Sequence, residues 1–114
     1  MNTTITDVED IRPLGHHEAM DLATTGYERA FTLLESLEPD DWTRSTDCAE
    51  WTVKDLVCHV LGEAEAFASM REFAHQFRIS SREARATGAE QIDAMNALQV
   101  RERAHLEPDE LLTR

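Results

Sequence analysis

His59 and Glu63 stand four residues apart, and on a helix that spacing puts an imidazole and a carboxylate on one side, one turn apart. A pair of this kind could grip one cation, as helical metal sites do. The alternative is structural: a partly buried histidine satisfied by a hydrogen bond, with Glu63 paired to an arginine or facing water. The residues alone leave both readings open. The other histidines offer less. His16 and His17 are adjacent and point in different directions from a helix. His75 falls about 160° round from His59 if both lie on one straight helix, which prevents a shared site. His105 lies near the end of a helical stretch, where the dipole favours a cation. Each of these four reads as a surface or capping histidine.

No nucleophile signature accompanies them. The chain has no G-x-S-x-G turn, no H-E-x-x-H pair and no Gly-rich phosphate loop. Its glycines, at 15, 26, 62 and 88, are too scattered to cradle a nucleotide. Cys48 and Cys58 do not have the C-x-x-C spacing of a structural zinc knuckle and read as ordinary reduced thiols.

Composition narrows the partners. With 23 acidic residues against 11 Lys plus Arg, the net charge is −12. So acidic a surface repels phosphate backbones and argues against nucleic acid and anionic membranes. Arg78, Arg82 and Arg85 form the densest basic stretch, which Glu83 interrupts, so a solvated helix face is expected there. There is no uncharged apolar run of about 18 residues to span a membrane. The N-terminus lacks the basic start and apolar stretch of a secretion signal, and a cytoplasmic location is expected.

The elements that must position these residues are helical. At 114 residues the chain suffices for one small domain, and few Gly and Pro punctuate it. Residues 1–15 read as a flexible lead-in. A helix is expected from about His16 to Leu37, on a stripe that includes Met20, Ala23, Tyr27, Phe31 and Leu34; Pro39 ends it. A loop flanked by both tryptophans, Trp42 and Trp51, follows, and such rings pin a loop to a core. Thr52 and Asp55 then form a capping-box-like start. The second helix carries Val53, Leu56, Val57, Val60, Leu61, Ala64, Phe67 and Ala68 as its apolar face and is predicted to run to about Arg78, with a break at 79–81. His59 sits just outside that face. A third helix is expected over 89–104, with Ile92, Met95, Leu98 (or Gln99) and Val100 inward. Pro108 opens a last helix with acids beside it, too short by Arg114 to stand alone, so the chain reads as cut off while starting an element.

The stretch Leu37-Glu38-Pro39-Asp40-Asp41-Trp42, with Thr46-Asp47-Cys48-Ala49-Glu50-Trp51-Thr52-Val53-Lys54-Asp55-Leu56-Val57-Cys58-His59-Val60-Leu61-Gly62, resembles the N-terminal region of the mycothiol-dependent maleylpyruvate isomerase family, within the DinB superfamily of four-helix bundles. Later segments, Asp93 to Arg103 and Pro108 to Leu112, resemble it too. The resemblance implies an all-α, partial up-and-down bundle over residues 16–114 that lacks its last long helix. It also implies a divalent metal, usually zinc, bound by the second-helix histidine, which matches His59 here. The family's other two ligands, one turn apart on the last long helix, have no counterpart in this chain. A complete relative would use the metal to activate a thiol such as mycothiol for isomerisation or transfer on a small-molecule substrate. This chain is then expected to be incomplete and inactive alone. The competing expectation is a non-catalytic helical interaction protein, or a homodimer, that uses exposed apolar helix faces.

Overall fold

Helical periodicity and sparse turn residues lead to an all-helical chain. The computed structural model describes residues 7–114, so residues 1–6 of the expected lead-in lie outside it. Among the described residues there are five α-helices: α1 (His16–Glu35), α2 (Val53–Ala68), α3 (Met70–Thr87), α4 (Gln91–Arg103) and α5 (Pro108–Thr113). None is long and apolar enough to cross a membrane. The chain forms two compact units, Met1–Ser36 and Leu37–Arg114.

The first unit holds α1 and, before it, a single 3-10 turn at Val8–Asp10 capped by the Asp7 carboxylate. In that turn the Asp7 carboxylate accepts the Glu9 N–H at 3.0 Å. Glu18 in the first turn of α1 meets Arg12 at 2.6 Å. Within its own unit α1 buries none of its residues.

The second unit begins with a 3-10 segment, Pro39–Thr43, that buries Trp42 to 4% exposure. Thr52 then caps α2: its hydroxyl accepts the Asp55 N–H at 3.2 Å, and the Asp55 carboxylate accepts the Thr52 N–H at 3.0 Å. The next boundary corrects the sequence expectation. Instead of running on to Arg78, α2 stops at Ala68 and α3 starts at Met70. Ser69 makes the joint, with extended backbone (φ −144°, ψ 117°) and a hydroxyl that accepts the Glu72 N–H. A serine in that role caps a helix rather than continuing one. The expected break at 79–81 is in turn absent, and Ile79, Ser80 and Ser81 lie inside α3. That helix ends at Gly88, whose left-handed φ of 77° suits glycine. The Lys54 ammonium donates to the Ala104 carbonyl at 2.8 Å, just past the C-terminus of α4. The short α5 is held by docking on α2 and by buried Leu111, which supplies what its length cannot.

α2, α3 and α4 each pack on the other two, but not by the expected face of α2. The residues α2 buries are Cys58, Gly62 and Ala66, at four-residue steps. No element of the second unit covers Val60 (49% exposed) or Phe67 (82%). On α4 the buried set is Ala94, Leu98, Gln99 and Arg103, while Ile92 is exposed. The reason is steric. Long polar side chains from α3 and α4 occupy the interior, and only a ridge of small residues lets them in. At Gly62 the approach is closest: an added Cβ would lie 2.7 Å from both Cβ and Cγ of Gln99. Gly62→Ala is therefore expected to destabilise the protein by about 1–3 kcal/mol through overpacking, read as a lower urea midpoint with an unchanged m-value. An equal or higher midpoint would show that α2 and α4 are free to move apart.

Candidate site around His59 and the buried amides

The interior opened by Cys58, Gly62 and Ala66 is filled by Gln76 and Ser80 from α3 and by Gln99 and Arg103 from α4, all buried. Buried polar groups persist only when hydrogen-bonded, and these are. The Gln76 amide nitrogen donates to the Gly62 carbonyl and to Glu72 Oε1, both at 3.0 Å. The Gln99 amide nitrogen donates to Gln76 Oε1 at 2.9 Å and to Glu63 Oε1 at 3.3 Å. Gln99 Oε1 lies 2.7 Å from Nδ1 of His59. The Arg103 guanidinium reaches Glu65 at 2.9 Å, Glu72 at 3.1 Å and the Gln99 carbonyl at 3.2 Å. Ser80 accepts from Gln91 Nε2 at 2.7 Å. Two carboxylates thus neutralise the buried cation, as such a charge requires.

His59 lies at the edge of this network, half-buried. Its ring packs against Trp51 with centroids 5.1 Å apart and planes at 41°. The Trp51 loop is itself held in place. Thr46 Oγ1 accepts the Cys48 N–H at 3.1 Å and lies 2.9 Å from the Trp51 carbonyl oxygen, and Ser45 and Thr52 form an isolated antiparallel bridge. Nδ1 of His59 is engaged by Gln99, whereas Nε2 makes no hydrogen bond to any described residue. Trp51 also lines a cleft of about 660 Å³ with Cys48, Glu50, Asp93 and Asn96; the Asn96 Oδ1 atom is buried without a hydrogen-bond partner among the described residues.

The sequence-derived candidates separate here. Glu63 shares the Gln99 amide with His59 instead of pairing with an arginine or facing only water. His75 is on a different helix from His59, so the single-helix argument against a shared site does not apply; its Nε2 pairs with Glu102 at 2.8 Å. His105 is exposed. Among the described residues no group of three or more His, Cys, Asp and Glu side chains converges as a metal site. His59 therefore offers one donor atom, not a complete set. Cys48 is exposed and Cys58 buried, both as free thiols, and burial pushes the Cys58 thiol above its ordinary value, outweighing the nearby Lys54 charge.

Gln76 and Arg103 escape a reading based on apolar periodicity because they are polar residues in core register, and Gln99 enters it only as the alternative to Leu98. Their traces are the four-residue spacings Gln76–Ser80 and Gln99–Arg103, set against the small-residue spacing Cys58–Gly62–Ala66.

Burial alone would raise the Glu72 carboxyl, but hydrogen bonds from Gln76 and Arg103, with the positive charges of Arg103 and His75, outweigh it and hold the group below the ordinary glutamate range. A carboxyl lowered by folding stabilises the fold at pH values above its unfolded pKa, and that contribution is lost as pH falls through the folded value. Glu72→Gln is expected to cost about 1–2 kcal/mol at neutral pH. The gap to wild type should narrow in acid, where denaturation at a series of pH values would show it; a gap constant from neutral to acid pH would contradict this.

A family model described as Mycothiol maleylpyruvate isomerase N-terminal domain matches residues 23–114. No curated protein matches the chain, and no solved structure does.

Proposed function

Because the chain belongs to the family of mycothiol maleylpyruvate isomerase N-terminal domains, we propose that its helical second unit presents His59 as one ligand to a divalent metal, zinc above all. The carrying observation is the imidazole itself: Nδ1 is anchored on Gln99 while Nε2 has no hydrogen-bond partner among the described residues. An imidazole held at one nitrogen and open at the other has the form of a metal ligand with its supporting hydrogen bond. These residues fit one position of a coordination shell. A catalytic zinc site needs about three protein ligands, so the others must come from a segment or subunit outside these 114 residues. When bound, such a metal favours the thiolate form of a coordinated thiol, such as that of mycothiol. What this chain supplies is the positioned imidazole, the Trp51 ring beside it and the buried network that holds both. It is not an active isomerase or transferase by itself.

A second reading has its own support. Val60 and Phe67 form an apolar side of α2 that no element of the second unit covers, so a non-catalytic interaction protein or a homodimer would use it.

Zinc titration with sizing chromatography separates the two. On the first reading, Zn²⁺ perturbs the His59 ring signals in NMR spectra before those of His16, His17, His75 and His105, and His59→Ala removes the tightest uptake. A dimer holding half a zinc per chain would combine both readings. A monomer whose zinc uptake is unchanged in His59→Ala would refute the metal assignment.

A further inference from the structure

Hydrogen-bond direction in the buried network is dictated from one end. A backbone carbonyl can only accept, and so can a carboxylate. The Gly62 carbonyl and Glu72 Oε1 both lie 3.0 Å from the same atom of the Gln76 amide. That atom must be the NH₂, which turns Gln76 Oε1 toward Gln99. The atom of Gln99 that it meets at 2.9 Å must then be a donor, and the Glu63 carboxylate 3.3 Å from the same atom requires the same. Only the carbonyl oxygen of Gln99 is left to face His59, at 2.7 Å from Nδ1. Opposite an oxygen that can only accept, Nδ1 must carry a hydrogen. A neutral imidazole with Nδ1–H has its lone pair on Nε2.

We propose that Gln76 and Gln99 are positioning residues that act in series: the amide relay locks neutral His59 in the Nδ1–H tautomer and leaves Nε2 as its one electron-pair donor. This reverses the preference of free histidine, which carries its hydrogen mainly on Nε2. Both amides are fully buried, so water does not compete for their hydrogen bonds. Gly62 enters twice, by giving Gln76 a carbonyl to donate to and by leaving room beside Gln99 for its side chain. Arg103 holds the Glu72 end in place at 3.1 Å. The use of Nε2 as a metal contact rests on the function proposed above; the tautomer itself does not.

The test is a long-range proton–nitrogen correlation spectrum of the full chain labelled with ¹⁵N-histidine, recorded at a pH where the imidazoles are neutral. The expected His59 pattern is a protonated-type shift at Nδ1 and a lone-pair-type shift at Nε2. A hydrogen on Nε2 in the wild-type protein would overturn the proposal. Gln99→Leu should return His59 to the Nε2–H form. Gln76→Met combined with Glu63→Leu, which keeps Gln99 but removes both groups that fix its orientation, should give a mixture; a folded Gln99→Leu or doubly substituted variant with an unchanged His59 pattern would also overturn it. Added Zn²⁺ should move Nε2 and leave Nδ1 protonated, whereas movement of Nδ1 alone counts against the relay. If the tautomer is as expected and zinc moves neither nitrogen, the relay stands and the metal reading fails.

Discussion

The missing Cβ of Gly62 is the constraint on which the second unit turns. With a Cβ there, α2 and α4 could not meet as they do, because Gln99 already fills that space to within 2.7 Å. With hydrogen there, the long side chains of Gln99 and Arg103 enter the interior and must be satisfied inside it. Cys58 and Ala66 extend the same ridge one turn either way. The core is therefore mixed: apolar Leu98, Leu106, Leu111 and Trp42 are buried in it together with polar Gln76, Ser80, Gln99 and Arg103. A polar interior of this kind is worth little in net stability against an apolar one of equal volume. Its effect is directional, since hydrogen bonds have donors and acceptors where apolar contacts have neither.

That directionality links the fold to its candidate chemistry. Trp51 on one side and Gln99 on the other restrict the same imidazole, so His59 is held by contacts from the loop before α2 and from α4 as well as by its own helix. Arg103, in contact with α2 through Glu65 and with α3 through Glu72, ties the three helices at the position where a rotation of any one would break the relay.

Much of this architecture was legible from the sequence. Helical class, the two-tryptophan loop, the Thr52–Asp55 cap and the Pro108 start each have a local cause that a few residues display. The α2–α3 boundary was not, because Ser69 interrupts a pattern of apolar residues that continues through Met70 and Phe73, and periodicity responds to the apolar residues alone. The inward face of α2 was misplaced for a related reason. Val57, Val60 and Phe67 make the more hydrophobic side, but the side that packs is chosen by the size of what faces it, and Gln99 and Arg103 need small neighbours. His59 stood out as a residue type; Gln76 did not, and Gln99 did so only as a possible inward position, because an amide declares its role only when its partners are in place.

The two cysteines acquire contrasting chemistry from their surroundings. Cys58 is buried, its Sγ 3.6 Å from the Arg103 carbonyl, while Cys48 is open to solvent. Thiol reagents act on the accessible thiolate, so the native chain offers them one sulfur and the denatured chain two. The protein thereby carries a built-in gauge of its own integrity: alkylation at the hidden position records how often the helices around the polar core come apart, without any label being added.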